Sequence, residues 1–185
     1  QELLMQTARD LAVRVAQREE KEVQIIFDSF TIPEDGNFDI SNIKKYIIQL
    51  VKNAITHGIE SPEKRERFGK SRIGTVTIGA VVEDDSLVLS VYDDGMGLQL
   101  DDLRRRAIEK GAYTEETLKT WPREKLAQLV FAPGLSTLDN AGLDAGRGIG
   151  LDLVHHEIRR VGGKISLSTA PGKHTRFALR LPFNK

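Results

Sequence analysis

Three stretches of this chain carry residues whose types and spacing could do chemistry. Gln49, Asn53 and His57 recur every fourth position, so on a helix they drift only slowly around one face. They run beside an apolar stripe of Ile43, Ile47, Leu50, Val51 and Ala54, which puts a polar row at the edge of a core, facing a pocket. An asparagine amide oxygen is a hard, neutral donor that suits Mg²⁺, a cation that keeps several waters and shares phosphate oxygens. The plainer alternative is a row of satisfied polar groups at a helix edge. Asp93-Asp94-Gly95-Met96-Gly97 follows an alternating apolar run. A carboxylate at a strand end can accept a hydrogen bond from an exocyclic amine, and glycine allows close approach of a ligand. Alone, the same residues describe a turn with a solvated acidic pair. Gly146-Arg147-Gly148-Ile149-Gly150 leads straight into a helix, where backbone N–H groups bind anions. A hinge before a helix would look the same. No Gly-Lys-Ser/Thr follows, so this is not a Walker loop, and without a surrounding β-α-β unit it is not a dinucleotide fingerprint.

The elements that must hold these residues can be read from periodicity. Residues 2–21 form a helix with Leu3, Leu4, Ala8, Leu11, Ala12 and Val15 on its apolar stripe. Val23–Phe27 is a short β-rich run, and residues 31–37, with Pro33 and Gly36, form a loop. A helix over 41–57 is capped by Asp39 or Ser41 and ended by Gly58. Ser61 caps a short charged helix with Pro62 in its first turn, and Gly69 closes it. Gly74–Val82 and Leu87–Tyr92 are strands of a hairpin around the acidic turn Glu83-Asp84-Asp85. The segment 98–146 holds two short helices, over about 101–110 and 123–131, among many Gly and Pro residues. A segment so long and so interrupted reads as a lid or binding region. Residues 150–160 form a helix closed by Gly162-Gly163, and Lys164–Thr169 and Arg176–Leu181 are strands joined at Pro171-Gly172. This order predicts an α+β sandwich, with a mostly antiparallel sheet and helices on one face.

Bulk composition narrows the class. The 185 residues include 27 Lys+Arg and 27 Asp+Glu, so the formal net charge is zero, and no whole-chain field favours nucleic acid or an acidic membrane surface. There is no cysteine, which removes disulfides, thiolate metal sites and cysteine nucleophiles and fits a reducing cytoplasm. No apolar run approaches the ~20 residues that span a bilayer, so direct membrane insertion is not expected. The chain starts at Gln1 rather than Met and reads as part of a longer protein.

Taken in order, the motifs resemble those of the histidine kinase/gyrase/Hsp90/MutL ATPase superfamily, in the form found in CheA-type chemotaxis histidine kinases. Leu50-Val51-Lys52-Asn53-Ala54-Ile55-Thr56-His57-Gly58-Ile59-Glu60 resembles the N-box, and Ser61-Pro62-Glu63-Lys64-Arg65 with Gly69-Lys70 is the CheA-type continuation. Asp93–Gly97 resembles the first glycine box. Val130-Phe131-Ala132-Pro133-Gly134-Leu135-Ser136-Thr137 resembles the phenylalanine box and lid, and Gly146–Gly150 with Leu151-Asp152-Leu153-Val154 the second glycine box. Pro171-Gly172-Lys173-His174-Thr175-Arg176-Phe177 occupies the last box, so the likeness covers about residues 40–183.

The resemblance implies a two-layer Bergerat sandwich that binds ATP and Mg²⁺ and passes the γ-phosphoryl group to a histidine on another domain. Asn53 would hold the metal, and Asp93 would accept from the adenine amino group. Gly95 and Gly97 would let backbone approach the nucleotide. Gly146, Gly148 and Gly150 would form the phosphate nest, with Ser136 on the lid side and Thr175 near the adenine. His57 would act catalytically through a hydrogen bond to a phosphate oxygen. Lys52 and Arg147 are candidate cations near phosphate. Implied partners are the histidine phosphotransfer and coupling domains of the same kinase and a downstream response regulator, with a homodimer in the full-length protein, no nucleic acid, and a cytoplasmic location. Residues 1–22 read either as the end of a dimerisation segment or as a packing helix of the domain, and 23–185 as the ATP-binding domain.

Three positions depart from the pattern. Gln49 stands where sensor kinases often have Glu and CheA-type kinases usually have His, and glutamine cannot act as a base at neutral pH. His174 stands where the family usually has Gly, so its side chain is expected to crowd the turn. Thr56 replaces a common Asp. None of His57, His155, His156 and His174 reads as a convincing phosphoacceptor; His156-Glu157 superficially resembles one, but sits in the helix after the second glycine box. Two rival readings remain: a degenerate nucleotide-binding or scaffolding module, and a gyrase- or MutL-like ATPase acting on DNA.

Overall fold

The computed structural model describes residues 1–34, 38–133, 135 and 150–183. Five strands form one mixed sheet: β1 (Val23–Phe30), β2 (Gly74–Glu83), β3 (Ser86–Asp93), β4 (Lys164–Ala170) and β5 (His174–Pro182), in spatial order β1-β2-β3-β5-β4. β1 runs parallel to β2, and the other three pairings are antiparallel. Alternation decides which face is covered. Val76, Ile78 and Ala80 of β2, Leu87, Leu89 and Val91 of β3, and Phe177, Leu179 and Leu181 of β5 are buried, while the residues between them are partly or fully exposed. The β2–β3 hairpin closes on Asp84 and Asp85, with φ of 45° and 54°, the left-handed pair that matches strand twist.

The helices lie on the covered face. α1 (Glu2–Arg18) and α2 (Ile40–Asn53) pack on each other, and α1 also packs on β1. From α2, Ile43, Ile47, Leu50 and Val51 are all almost fully buried, each contributing about 1.5–3 kcal/mol by removal from water. In α1 the buried set is Leu4, Ala8, Ala12, Val15 and Ala16. Leu3, expected on that stripe, is 79% exposed; one position before Leu4, it is turned about 100° away from the stripe. Leu11 is only partly buried.

α3 (Pro62–Arg67) starts at Ser61, whose hydroxyl accepts from Lys64 N, and stops before Gly69 at φ 71°. Beyond β3 come α4 (Leu100–Glu109), α5 (Glu115–Lys119) and α6 (Arg123–Ala127), with a 3-10 helical turn over Gln128–Phe131. The expected single helix over 123–131 is therefore α-helical only to Ala127, and α5 is an element that sequence periodicity did not reveal. α7 (Leu151–Arg160) begins at Gly150 and buries Leu151, Val154 and Ile158. No helix among the described residues is long and apolar enough to cross a membrane.

Candidate functional site

The polar row of α2 changes geometry where it matters. Asp39 accepts from Ser41 N at 2.8 Å and starts the helix. Gln49 Nε2 donates to Asn53 Oδ1 at 3.1 Å, as their one-turn spacing predicts. The α-helix then stops at Asn53, and Ala54–Gly58 form a π-turn closed by Ile59 N donating to Ala54 O at 2.8 Å. The expected continuous helix to residue 57 is thus corrected. The i→i+5 hydrogen bonding makes this turn wider than an α-turn. His57 is exposed, yet the surrounding protein, followed by the nearby Lys21 ammonium, lowers its pKa from the ordinary imidazole value. Two carbonyls of the π-turn are held from outside: Lys21 Nζ donates to Ile55 O at 2.7 Å and to Thr56 O at 2.8 Å.

Gly58 is the meeting point of the π-turn and the Asp93 loop. A Cβ on Gly58 would stand 2.6 Å from Asp93 Oδ1, and one on Gly95 would stand 2.1 Å from Gly58 O. Met96 N donates to Gly58 O at 2.9 Å. Gly97, at φ 70°, would drive a Cβ to 2.4 Å from Ala170 O. The approach these glycines permit in the structure is therefore of chain to chain. Asp93 is only 4% exposed. Its Oδ1 accepts from Gly95 N at 3.0 Å, and among the described residues no hydrogen bond reaches Oδ2. Burial pushes the Asp93 carboxyl up to about 7; the Gly95 N–H opposes this, and the Asp94 and Glu60 charges add to it. Thr175, also buried, is the cross-strand partner of Asp93 between β3 and β5. A buried carboxyl with one oxygen committed and one open to a donor fits an exocyclic amine of a nucleobase, and the Asn53 amide oxygen has the donor chemistry for Mg²⁺.

The Asp94 side of the loop is fixed by a cluster of charges whose joint role sequence reading missed. Arg65, 1% exposed, donates to Asp94 Oδ1 and Oδ2 at 3.0 Å each, to Glu60 Oε2 at 3.1 Å and to Ser71 O at 2.6 Å. Lys70 Nζ reaches Glu60 Oε1 at 2.8 Å, Asp94 O at 2.9 Å and Gly95 O at 2.8 Å. Asp94 Oδ1 also accepts from Thr75 N at 2.9 Å. Burial works to raise the Glu60 pKa, but the Lys70 hydrogen bond and the Lys70 and Arg65 charges hold it below the ordinary value. The available signal was Glu60, Arg65 and Lys70 recurring at five-residue intervals across a capped helix, just before a loop with a second carboxylate.

Other expected site residues fall into two groups. His174 opens β5 without a left-handed φ, and its ring stacks on Tyr92 at 5.5 Å, so the expected crowding of the turn does not occur. Gly172, at φ 71°, makes that turn and donates its N–H to Met96 O at 2.8 Å. Phe131 stacks on His155 at 5.0 Å and meets Phe177 edge-on at 6.0 Å, joining the phenylalanine box to α7 and β5. His156 is an exposed residue of α7. Gly150 heads α7, which packs against α2. Ser136, Gly146, Arg147 and Gly148 lie outside the described residues. Gly58, Asp93, Gly95 and Thr175 thus meet where the π-turn, the end of β3 and the start of β5 come together, with Gly97 against the end of β4 and Asn53 just before the π-turn.

A family model described as "Histidine kinase-, DNA gyrase B-, and HSP90-like ATPase" matches residues 38–185. Chemotaxis protein CheA of Halobacterium salinarum is 36% identical over 168 residues, covering 91% of this chain and 25% of its own. Chemotaxis protein CheA of Bacillus subtilis is 36% identical over 143 residues, with 77% and 21% covered. A gliding motility regulatory protein of Myxococcus xanthus is 32% identical over 172 residues, with 92% and 22% covered. The chain therefore spans about a quarter or less of these curated relatives. In fold it resembles the catalytic domain of histidine kinase ThkA, with TM-score 0.56 at 19% identity over 98% of this chain and 91% of that one. It also resembles histidine kinase AdeS of Acinetobacter baumannii, with TM-score 0.56 at 17% identity over 100% and 65%.

Proposed function

Because this chain belongs to the family of histidine kinase-, DNA gyrase B- and HSP90-like ATPases, with its boxes in the CheA form, we propose that it binds Mg-ATP and delivers the γ-phosphoryl group to a histidine on another domain of its kinase. The observation that carries the adenine end is Asp93: a buried carboxyl, one oxygen bound to Gly95 N, the other open, opposite Thr175. Its ionised form accepts from the adenine amino group. Asn53, oriented by Gln49, presents its amide oxygen to the metal, and His57, at the exposed end of the same turn, donates to a phosphate oxygen. Mg²⁺ when bound neutralises phosphate charge, in a reaction that depends chiefly on positioning and charge stabilisation. Gly146, Gly148 and Gly150, in the glycine run that precedes α7 in the sequence, receive the phosphates through backbone N–H groups, and Ser136 belongs to the covering segment, whose closure excludes water.

The CheA relatives support a multidomain setting. In this reading residues 1–22 are the end of a dimerisation segment or a packing helix of the domain, residues 23–185 form the catalytic domain, and the partners are a histidine phosphotransfer domain, a coupling domain and a response regulator in the cytoplasm, in a homodimer. Calorimetric titration with Mg-ATP tests the site. Asn53→Ala is expected to weaken the Mg²⁺-dependent part of binding, and Asp93→Asn the adenine part; if both variants bind like wild type, the site is misplaced. Gln49, in a position usually His or an acid, favours a second reading as a nucleotide-binding scaffold. Single-turnover transfer from labelled ATP to a cognate phosphotransfer domain separates the two, since robust transfer excludes the scaffold.

A further inference from the structure

We propose that Lys21 is a positioning residue of the nucleotide site and links it to α1, so that loosening of α1 lowers nucleotide affinity; this rests on reading the site as a Mg-ATP site. α1 ends in a double hydrogen-bonded cap: Glu20 N donates to Gln17 O at 3.3 Å and Lys21 N to Ala16 O at 2.9 Å, with Glu20 at φ 53°. This cap fixes where the Lys21 side chain starts. Its ammonium then crosses to the π-turn and takes Ile55 O and Thr56 O at 2.7 and 2.8 Å. Carbonyls at a helix end lack intrahelical partners and carry partial negative charge, so a cation there fixes the turn.

Two residues beyond Thr56, Gly58 receives Met96 N through its carbonyl and touches the Asp93 carboxylate. The next residue after Lys21 holds the opposite wall: Glu22 O accepts from Gly74 N at 2.8 Å, and adjacent Thr75 binds Asp94 through its N–H. The end of α1 is thus joined by short contacts to both supports of the Asp93 loop. Burial lowers the Lys21 pKa, against the Glu19 and Glu60 charges that raise it.

The test is Mg-ATP titration by calorimetry on wild type, Lys21→Met, Lys21→Arg, Leu4→Ala and the Leu4→Ala/Lys21→Met pair, at a temperature where circular dichroism shows each folded. Lys21→Met is expected to lose about tenfold in affinity, the equivalent of one charge-assisted hydrogen bond, and Lys21→Arg to recover most of it. Leu4 anchors α1 in the core away from the loop; Leu4→Ala is expected to weaken binding in wild type but not in the Lys21→Met background. Wild-type affinity in folded Lys21→Met overturns the positioning role, as does a loss that Lys21→Arg does not recover. Wild-type affinity in Leu4→Ala, or an equal further loss in the pair, overturns the link to α1. Failure of wild type itself to bind Mg-ATP would instead sink the reading of the site.

Discussion

The Gln49 side-chain amide donates to Asn53 Oδ1 at 3.1 Å, one turn away on α2. The departure from an acid or His at position 49 therefore leaves an orienting group in place, although not a base. A carbonyl oxygen has two lone pairs, so Asn53 can accept from Gln49 and still offer Oδ1 to a metal. Gln49→Ala is expected to weaken Mg-ATP binding by about 1 kcal/mol, the net worth of such a hydrogen bond, while leaving Mg-free nucleotide binding unchanged. Titrations with and without Mg²⁺ check this; equal losses in both would mean that Gln49 does not act through Asn53.

Asp93 makes both stability and binding depend on pH. Its folded value is raised from 3.8 to about 7. The proton is held more tightly in the folded chain, so the associated stability is fully present below about pH 4 and is lost as pH rises through about 7. The loss is on the order of 4 kcal/mol for a shift of that size. Without nucleotide, Asp93→Asn is expected to flatten urea-unfolding stability between about pH 4 and 7, the window set by that shift, and to be more stable than wild type at the upper end. A ligand amine requires the ionised form, so nucleotide binding should release a proton near neutral pH and tighten as pH rises. Calorimetry in buffers of different ionisation enthalpy measures that proton, and proton uptake on binding would contradict the assignment.

Gly58 and Gly95 should differ in how badly they tolerate alanine. At Gly58 the obstacle is a side-chain carboxylate, 2.6 Å from the added Cβ; at Gly95 it is the backbone carbonyl of Gly58, at 2.1 Å. A side chain can turn away and a backbone carbonyl cannot without moving the π-turn. Gly58→Ala is expected to cost about 1–3 kcal/mol and to displace Asp93, with nucleotide affinity falling. Gly95→Ala is expected to destabilise the fold more than that. Urea unfolding of the two variants gives the order, and the reverse order would refute the packing argument.

What could be read from sequence followed the range of the signal. The β2–β3 hairpin was legible because alternating apolar residues flank a two-Asp turn, all within one local stretch. Asp93, Gly95 and Gly97 were legible as a loop, and Asn53 as a helix-edge residue, because their spacing is local. The π-turn was not, since Ala54–Gly58 have no residue that separates π from α; its contacts come from Lys21, more than 30 residues earlier, and from Asp93 beside Gly58. Arg65 looked like one charge among many on a solvated helix, because its partner Asp94 lies 29 positions away. Leu3 was misplaced because hydrophobicity alone does not say where a stripe ends. His174 was expected to crowd a turn that Gly172 makes instead, with the imidazole resting on Tyr92.

Arg65 offers the sharpest test of what holds the Asp93 loop. Its guanidinium binds both oxygens of Asp94, one of Glu60 and the Ser71 carbonyl, at 1% exposure. Arg65→Met leaves Glu60 and Asp94 with only Lys70 between them, and removing one member of a buried ionic cluster typically costs about 3–5 kcal/mol. Arg65→Lys keeps the charge but not the two-pronged geometry, so it is expected to recover only part of that cost. The signs with pH differ from those at Asp93. The folded Glu60 pKa is lowered, so its contribution is present above its ordinary value and is lost as pH falls through the folded value. In Arg65→Met that acid-side loss should shrink, because the charge favouring ionised Glu60 has gone. Urea unfolding of wild type and both variants at neutral and acid pH measures this. If Arg65→Met loses no stability at neutral pH, or if its deficit grows as pH falls, the buried cluster is not what fixes the loop.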